Sequence, residues 1–219
     1  MIVVVGLPAY ADSPDGEKCA GGLAVEVAAA ARRRGSEVEL VGKVGNDGAG
    51  DAVVVALGRL GVGHAALLRD PVLPTPVLAP APVDDEAAEL EADVPEGRVL
   101  PEDPAARPDL EAADIDLAIQ FLPQAKVVVL AGPLAEGVVT AAAEAAAFES
   151  AQLVVLATAG AVPAGLPAAT TVLETPPDDD GSFGRMVGMY AGALDAGVEA
   201  AAAFREAIGA AGWEQTAGA

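Results

Sequence analysis

Four short runs of β-branched and aliphatic residues set the frame of this chain: IVVV at 2–5, VELVG at 38–42, KVVVL at 126–130 and QLVVLAT at 152–158. Each run is continuous in its apolar character instead of alternating, which is the pattern of a strand covered on both faces. Between and after them come stretches of helical character, at 22–34, 49–60, 135–150, 182–195 and 198–210. Strands that alternate with helices predict a doubly wound, mostly parallel α/β sheet in three layers. Right-handed crossovers then place ligands outside the carboxyl ends of the strands.

Residues 71–109 break the pattern. They are dense in proline and acid, which makes them a poor helix and a poor central strand. The segment is expected to be exposed and partly extended, with edge strands near 75–79 and 97–100. The 219 residues as a whole read as a single domain, 1–219, that carries this excursion at 71–109.

Charge and composition narrow the partners. A net charge of −21 with only 12 basic residues opposes binding to a nucleic-acid backbone or an anionic membrane. Aromatic residues make up 3% of the chain, too few for a base-stacking platform. Gly, Pro or charge interrupts every apolar stretch before the roughly 18 residues that a membrane span needs. The opening MIVVVGLP lacks a basic leader and reads as a first strand, so a cytoplasmic location is expected. The single cysteine, Cys19, cannot form an intramolecular disulfide and reads as a small buried residue. The acidity itself has two explanations, a solvated surface or adaptation to high salt. His64 is the only histidine, which excludes a multi-His metal site and disfavours a Ser-His-Asp triad; it is placed on a turn before a strand.

The segment 20–61 carries the most chemistry. Gly21 and Gly22 open a helix, and the helix runs into a strand that ends in GKVGNDGAGD. Glycine lets the backbone come close to a ligand, while Asn46, Asp47 and Asp51 can either cap the next helix or bond a polyol. The ordered series resembles the ribokinase family (PfkB type) of carbohydrate kinases. In that family a Gly-Gly pair opens the helix lining the sugar pocket, and Gly-x-Asp-x-x-Gly-Asp follows, matched here by Gly45, Asp47, Gly50 and Asp51. The stretch GVGHAALLRDPVLPTPVL at 61–78 continues the likeness with a strand, a turn and a threonine-bearing strand.

The resemblance implies a ribokinase-like fold, here with the lid reduced or absent. It implies a small-molecule sugar or nucleoside substrate met by Asp12, Gly21, Gly22, Glu26, Asn46 and Asp47. It further implies ATP and Mg²⁺ as cofactors if the protein is active, and a homodimer as one form of assembly.

The stretch DDDGSFGRMVG at 178–188 is where the resemblance frays. Family members place a Gly-Ala-Gly-Asp turn at a helix N-terminus, where amides hold the transferring phosphoryl group and the Asp takes a proton from the acceptor hydroxyl. Here Asp178 and Gly181 keep the pattern, but the base position holds Gly184, which cannot take a proton. Anion or nucleotide contacts would fall to Gly181, Ser182 and Gly184, and Phe183 replaces a small residue, so its ring is expected to crowd an approaching phosphate. Asp178 and Asp180 remain as candidates for relocated acid chemistry; an acidic N-cap favoured by the helix dipole is the plainer reading of the triplet.

Further departures accompany it. Glu26 stands where the family has an asparagine, and Glu174 is the one metal candidate in place of an Asn-x-x-Glu motif. Glu174 also lies only a few residues before the turn, so the nucleotide-binding half is expected to be abbreviated. Gly132 ends a strand, either against a ligand or in a tight strand-to-helix turn, and Trp213 is placed where it could dock the last helix. Three activities stay open: sugar or nucleotide binding with weak or lost phosphotransferase activity, an active ATP-dependent sugar or nucleoside kinase, and a non-catalytic oligomeric interaction protein. The glycine at 184 favours the first.

Overall fold

A computed structural model describes residues 1–12, 18–80, 98–99, 106–119, 122, 124–176 and 181–211. The chain runs β1 (Ile2–Gly6), β2 (Ala9–Asp12), β3 (Lys18–Gly21), α1 (Leu23–Arg33), β4 (Val38–Gly45), α2 (Gly48–Leu60), β5 (Leu67–Asp70), β6 (Ala79–Pro80), β7 (Arg98–Val99), α3 (Ala112–Ile119), β8 (Val127–Ala131), α4 (Glu136–Glu149), β9 (Gln152–Thr158), β10 (Thr171–Thr175), α5 (Ser182–Asp195) and α6 (Ala200–Ala211). The four apolar runs are β1, β4, β8 and β9, and the five helical stretches are α1, α2, α4, α5 and α6. The pattern gave no sign of α3, β2, β3 or β10, which are short or only half-buried.

Six strands form one parallel sheet in the order β10-β9-β8-β1-β4-β5. Alternate residues of each strand serve different layers. Ile2, Val4, Leu40, Val129 and Val154 join α1, α5 and α6 on one face. Val3, Val5, Val41, Val128 and Val155 join α3 and α4 on the other. Burial on both faces is why these strands read as unbroken apolar runs. The order reverses at β1: the chain builds out to β4 and β5 on one side, then returns to β8, β9 and β10 on the other. Such a reversal opens a crevice at the carboxyl ends of the strands.

Above that end sits a small lid. β2 and β3 pair antiparallel, and Val77 bridges to Tyr10 as a third, strap-like segment. The amide of Tyr10 donates to Pro76 O at 2.8 Å and that of Leu78 donates to Tyr10 O at 2.9 Å. The edge strands expected at 75–79 and 97–100 shrink to this bridge and to the two-residue pair β6–β7. Proline explains the reduction, since each one removes a ladder donor. Most of the 71–109 excursion lies outside the described residues.

α1 and α5 run parallel and meet closely. A Cβ added at Gly188 would come within 2.6 Å of Ala30 Cβ, and one at Gly192 within 2.6 Å of Arg34 Cδ. With Gly184 they recur every four residues and form one ridge on α5 facing α1.

Candidate functional site

Two helix N-termini at the carboxyl end of the sheet collect most of the residues singled out by sequence. The first is that of α2. Asp47 is its N-cap, and its Oδ1 accepts the Gly50 amide at 2.7 Å. The Thr75 hydroxyl donates to the same oxygen at 2.6 Å, the Thr75 amide donates to Oδ2 at 2.8 Å, and the Gly45 amide donates to Thr75 Oγ1 at 3.0 Å. Thr75 is 4% exposed, so this network ties the lid strap to the end of β4 through buried bonds. Glycine is required on both sides: a Cβ at Gly45 would lie 2.7 Å from Leu73 O, and one at Gly50 would lie 2.9 Å from Thr75 Oγ1. Arg69 braces the corner, donating through Nη1 to Gly45 O at 2.9 Å and pairing through Nη2 with Asp51 at 2.7 Å.

Burial alone would raise the Asp47 carboxyl, but the Thr75 hydroxyl, the amides of Gly50 and Thr75 and the Arg69 charge outweigh it and hold the group below its ordinary value of 3.8. Of the two roles open to Asp47, capping is the one realised, with both oxygens engaged by the protein. Neighbouring Asn46 is exposed, and its amide donates to Asp70 O at 2.8 Å.

The second N-terminus is that of α5. Its N-cap is Gly181, in the left-handed region at φ 68°, and the first turn of the helix contains no acid. The acidic triplet is therefore not the cap, because the helix begins at Ser182; Asp178 and Asp180 themselves lie outside the described residues. Phe183 also departs from expectation. It is 3% exposed and belongs to the core cluster that includes Met186 and Val187, so its ring is buried in the core instead of standing free beside the turn.

What fills the space beside the turn is Glu26, delivered by α1. A Cβ at Gly184 would lie 2.7 Å from Glu26 Oε2, and one at Gly181 would lie 2.9 Å from the same oxygen. Glu26 sits one turn into α1, its amide donating to Gly22 O at 3.1 Å. Gly22 caps α1 at φ 96°, a conformation that asks for glycine. A carboxylate at this place is favoured by the positive end of α5. The carboxylate beside Gly181 and Gly184 thus comes from residue 26. Sequence spacing could not have indicated this, since residues 26 and 184 are 158 positions apart.

The remaining candidates sit on other elements. Asp12 closes β2 opposite Lys18, and Gly21 lies beneath Leu78, whose Cδ1 would be 2.6 Å from an added Cβ. Glu174 is exposed on β10, and only residues 176–181 separate β10 from α5. Among the described residues no group of three or more His, Cys, Asp or Glu side chains is placed to hold a metal. Gly132, at φ 108°, makes the strand-to-helix turn after β8 and lines, with Pro133, Thr158 and Ala161, a cavity of about 200 Å³ at the ends of β8 and β9. His64 lies on a turn before β5, Cys19 is half-buried with its thiol donating to Ala11 O at 3.1 Å, and Trp213 falls outside the described residues. Among the described residues no helix is long and apolar enough to cross a membrane.

No protein-family model matches the chain, and no curated protein matches it in sequence. Solved structures do. A ribokinase of Arabidopsis thaliana, crystallised with ribose and ATP, superposes with a TM-score of 0.64 at 14% identity, covering 96% of this chain and 90% of that one. The crystal structure of Sa239 gives a TM-score of 0.66 at 12% identity over 93% and 89% of the two chains. An uncharacterized sugar kinase from Pyrococcus horikoshii gives 0.53 at 18% identity, over 86% of this chain and 59% of that one. With its parallel six-stranded sheet, flanking helices and small lid, the chain has the ribokinase-like α/β fold.

Proposed function

We propose that the protein binds a small polyol, a sugar or a nucleoside, in the crevice between the lid and the carboxyl ends of the strands, and that it transfers phosphoryl groups weakly or not at all. The single observation that carries this reading is Gly184. Phosphoryl transfer to a hydroxyl needs a carboxylate to orient and deprotonate the acceptor; α5 supplies none at that position, and the carboxylate that α1 brings there, Glu26, lies against both Gly181 and Gly184, in the phosphate's place and not over the acceptor. The parts that would meet a polyol persist: the Gly21–Gly22 opening of α1, Asp12 at the end of β2 and the exposed Asn46. Asp47 serves this reading indirectly, by fixing the lid strap that would close over the ligand. One domain over residues 1–219 fits the continuous sheet.

A thermal-shift panel of pentoses, hexoses and nucleosides, each with and without ATP and Mg²⁺, tests the reading. Binding to the folded state alone raises the melting temperature. A shift with at least one polyol and no consumption of ATP is expected. Mg²⁺-dependent ATP consumption with any member would instead establish an active kinase. No shift with any member, together with a stable dimer in sedimentation, would favour the interaction protein.

A further inference from the structure

The fold carries an expectation of ATP and Mg²⁺, with phosphate held at the first turn of α5, and the residues present do not fit it. The place a phosphate would take is already filled. An added Cβ at Gly184 would lie 2.7 Å from Glu26 Oε2 and 2.8 Å from Glu26 Cβ, and one at Gly181 would lie 2.9 Å from Oε2 and 3.0 Å from Oε1. Both oxygens of a single carboxylate therefore crowd the two glycines that frame the turn. A phosphate arriving there has to displace this group or share a few ångströms with like charge.

We infer that Glu26 is a built-in occupant of the α5 turn: its carboxylate stands in for a phosphate and keeps phosphate-bearing ligands out. Gly184 suits this arrangement, because a Cβ there would collide with the Glu26 carboxylate. Glu26 is in this sense a specificity-determining residue. It leaves the crevice open to a neutral polyol while excluding a nucleotide's phosphates. The inference rests on the reading of a transfer site that has lost its activity, and its test leaves the polyol out so that the two can fail separately.

Calorimetric titration with inorganic pyrophosphate and with Mg²⁺-ATP, without any sugar, is the experiment. The wild-type protein is expected to bind neither measurably. Glu26→Ala should bind both at least about tenfold more tightly, and Glu26→Gln, which keeps the bulk but loses the charge, should fall between them. Tight binding by the wild-type protein overturns the inference, as does a Glu26→Ala protein that keeps its circular dichroism spectrum and gains no affinity.

A double-mutant cycle gives a second readout that needs no ligand. Gly181→Ala carries the same left-handed backbone strain in any background, but only a seated Glu26 carboxylate adds a collision. The melting temperature should therefore fall further in the wild type than in Glu26→Ala. If Glu26→Ala does not fold, the same cycle is run with Glu26→Asp, whose shorter side chain withdraws the carboxylate. Equal falls in the two backgrounds mean that the carboxylate is not seated, and the inference is lost.

Discussion

The N-termini of α2 and α5 are each met by a carboxylate, and the two differ in where it comes from. At α2 the acid is Asp47, the helix's own N-cap, three residues from the Gly50 amide it accepts. At α5 the cap is a glycine and the acid is Glu26, brought by a helix from the other end of the chain. A local cap is bound into the backbone it serves and stiffens it. A remote one depends on how two helices pack, and it can be exchanged without altering the turn itself. The first corner is therefore architecture, while the second is open to functional change.

Breaking the packing should do the most damage. Gly188→Val would drive a side chain against α1, where an added Cβ already lies 2.6 Å from Ala30 Cβ. The expected loss is about 3 kcal/mol or more, read from urea unfolding. With the seam gone, the distinction between the two corners should vanish, because Glu26 would no longer be delivered.

Removing the local acid comes next. Asp47→Ala takes away the cap and strands the buried Thr75 hydroxyl and amide, for an expected loss of about 2 kcal/mol. The same site sets an acid limit. Its folded carboxyl titrates below 3.8, so its contribution is complete above that ordinary value and is lost as the pH falls through the lower, folded one. The slope of stability against pH in that acid window should be shallower in Asp47→Asn than in the wild type.

Removing the remote acid should cost less. Glu26→Ala is expected to change stability by no more than about 1 kcal/mol, the scale of a single charge at a helix terminus. A loss equal to that of Asp47→Ala would erase the contrast between the corners. The smallest effect is expected at Asp51, whose side chain is 76% exposed where it pairs with Arg69. Asp51→Asn should alter stability by about 0.5 kcal/mol or less and lose even that effect in high salt.

The same contrast marks what was legible in the sequence. β1, β4, β8 and β9 could be read because strands covered on both faces leave unbroken apolar runs. The α2 corner could be read because a cap, its helix and the glycines around it are neighbours in the chain. Three things could not. β10 and α3 are short and half-covered, so their patterns are weak. Phe183 reads as crowding the turn because alignment gives a position and not a direction; in the fold the ring is buried in the core. Glu26 reads only as a glutamate where the resemblance has asparagine, and nothing along the chain tells that its side chain reaches residue 184.

With the α1 backbone against Gly188 and α1-side side chains against Gly184 and Gly192, α1 and α5 pack as one beam and not as two loose neighbours. A molecule pressing on the chain at Gly22 loads the same rigid piece that ends at Gly181. A ligand that settles against the start of α1 would thus bear on the same packed pair that ends at the tip of α5.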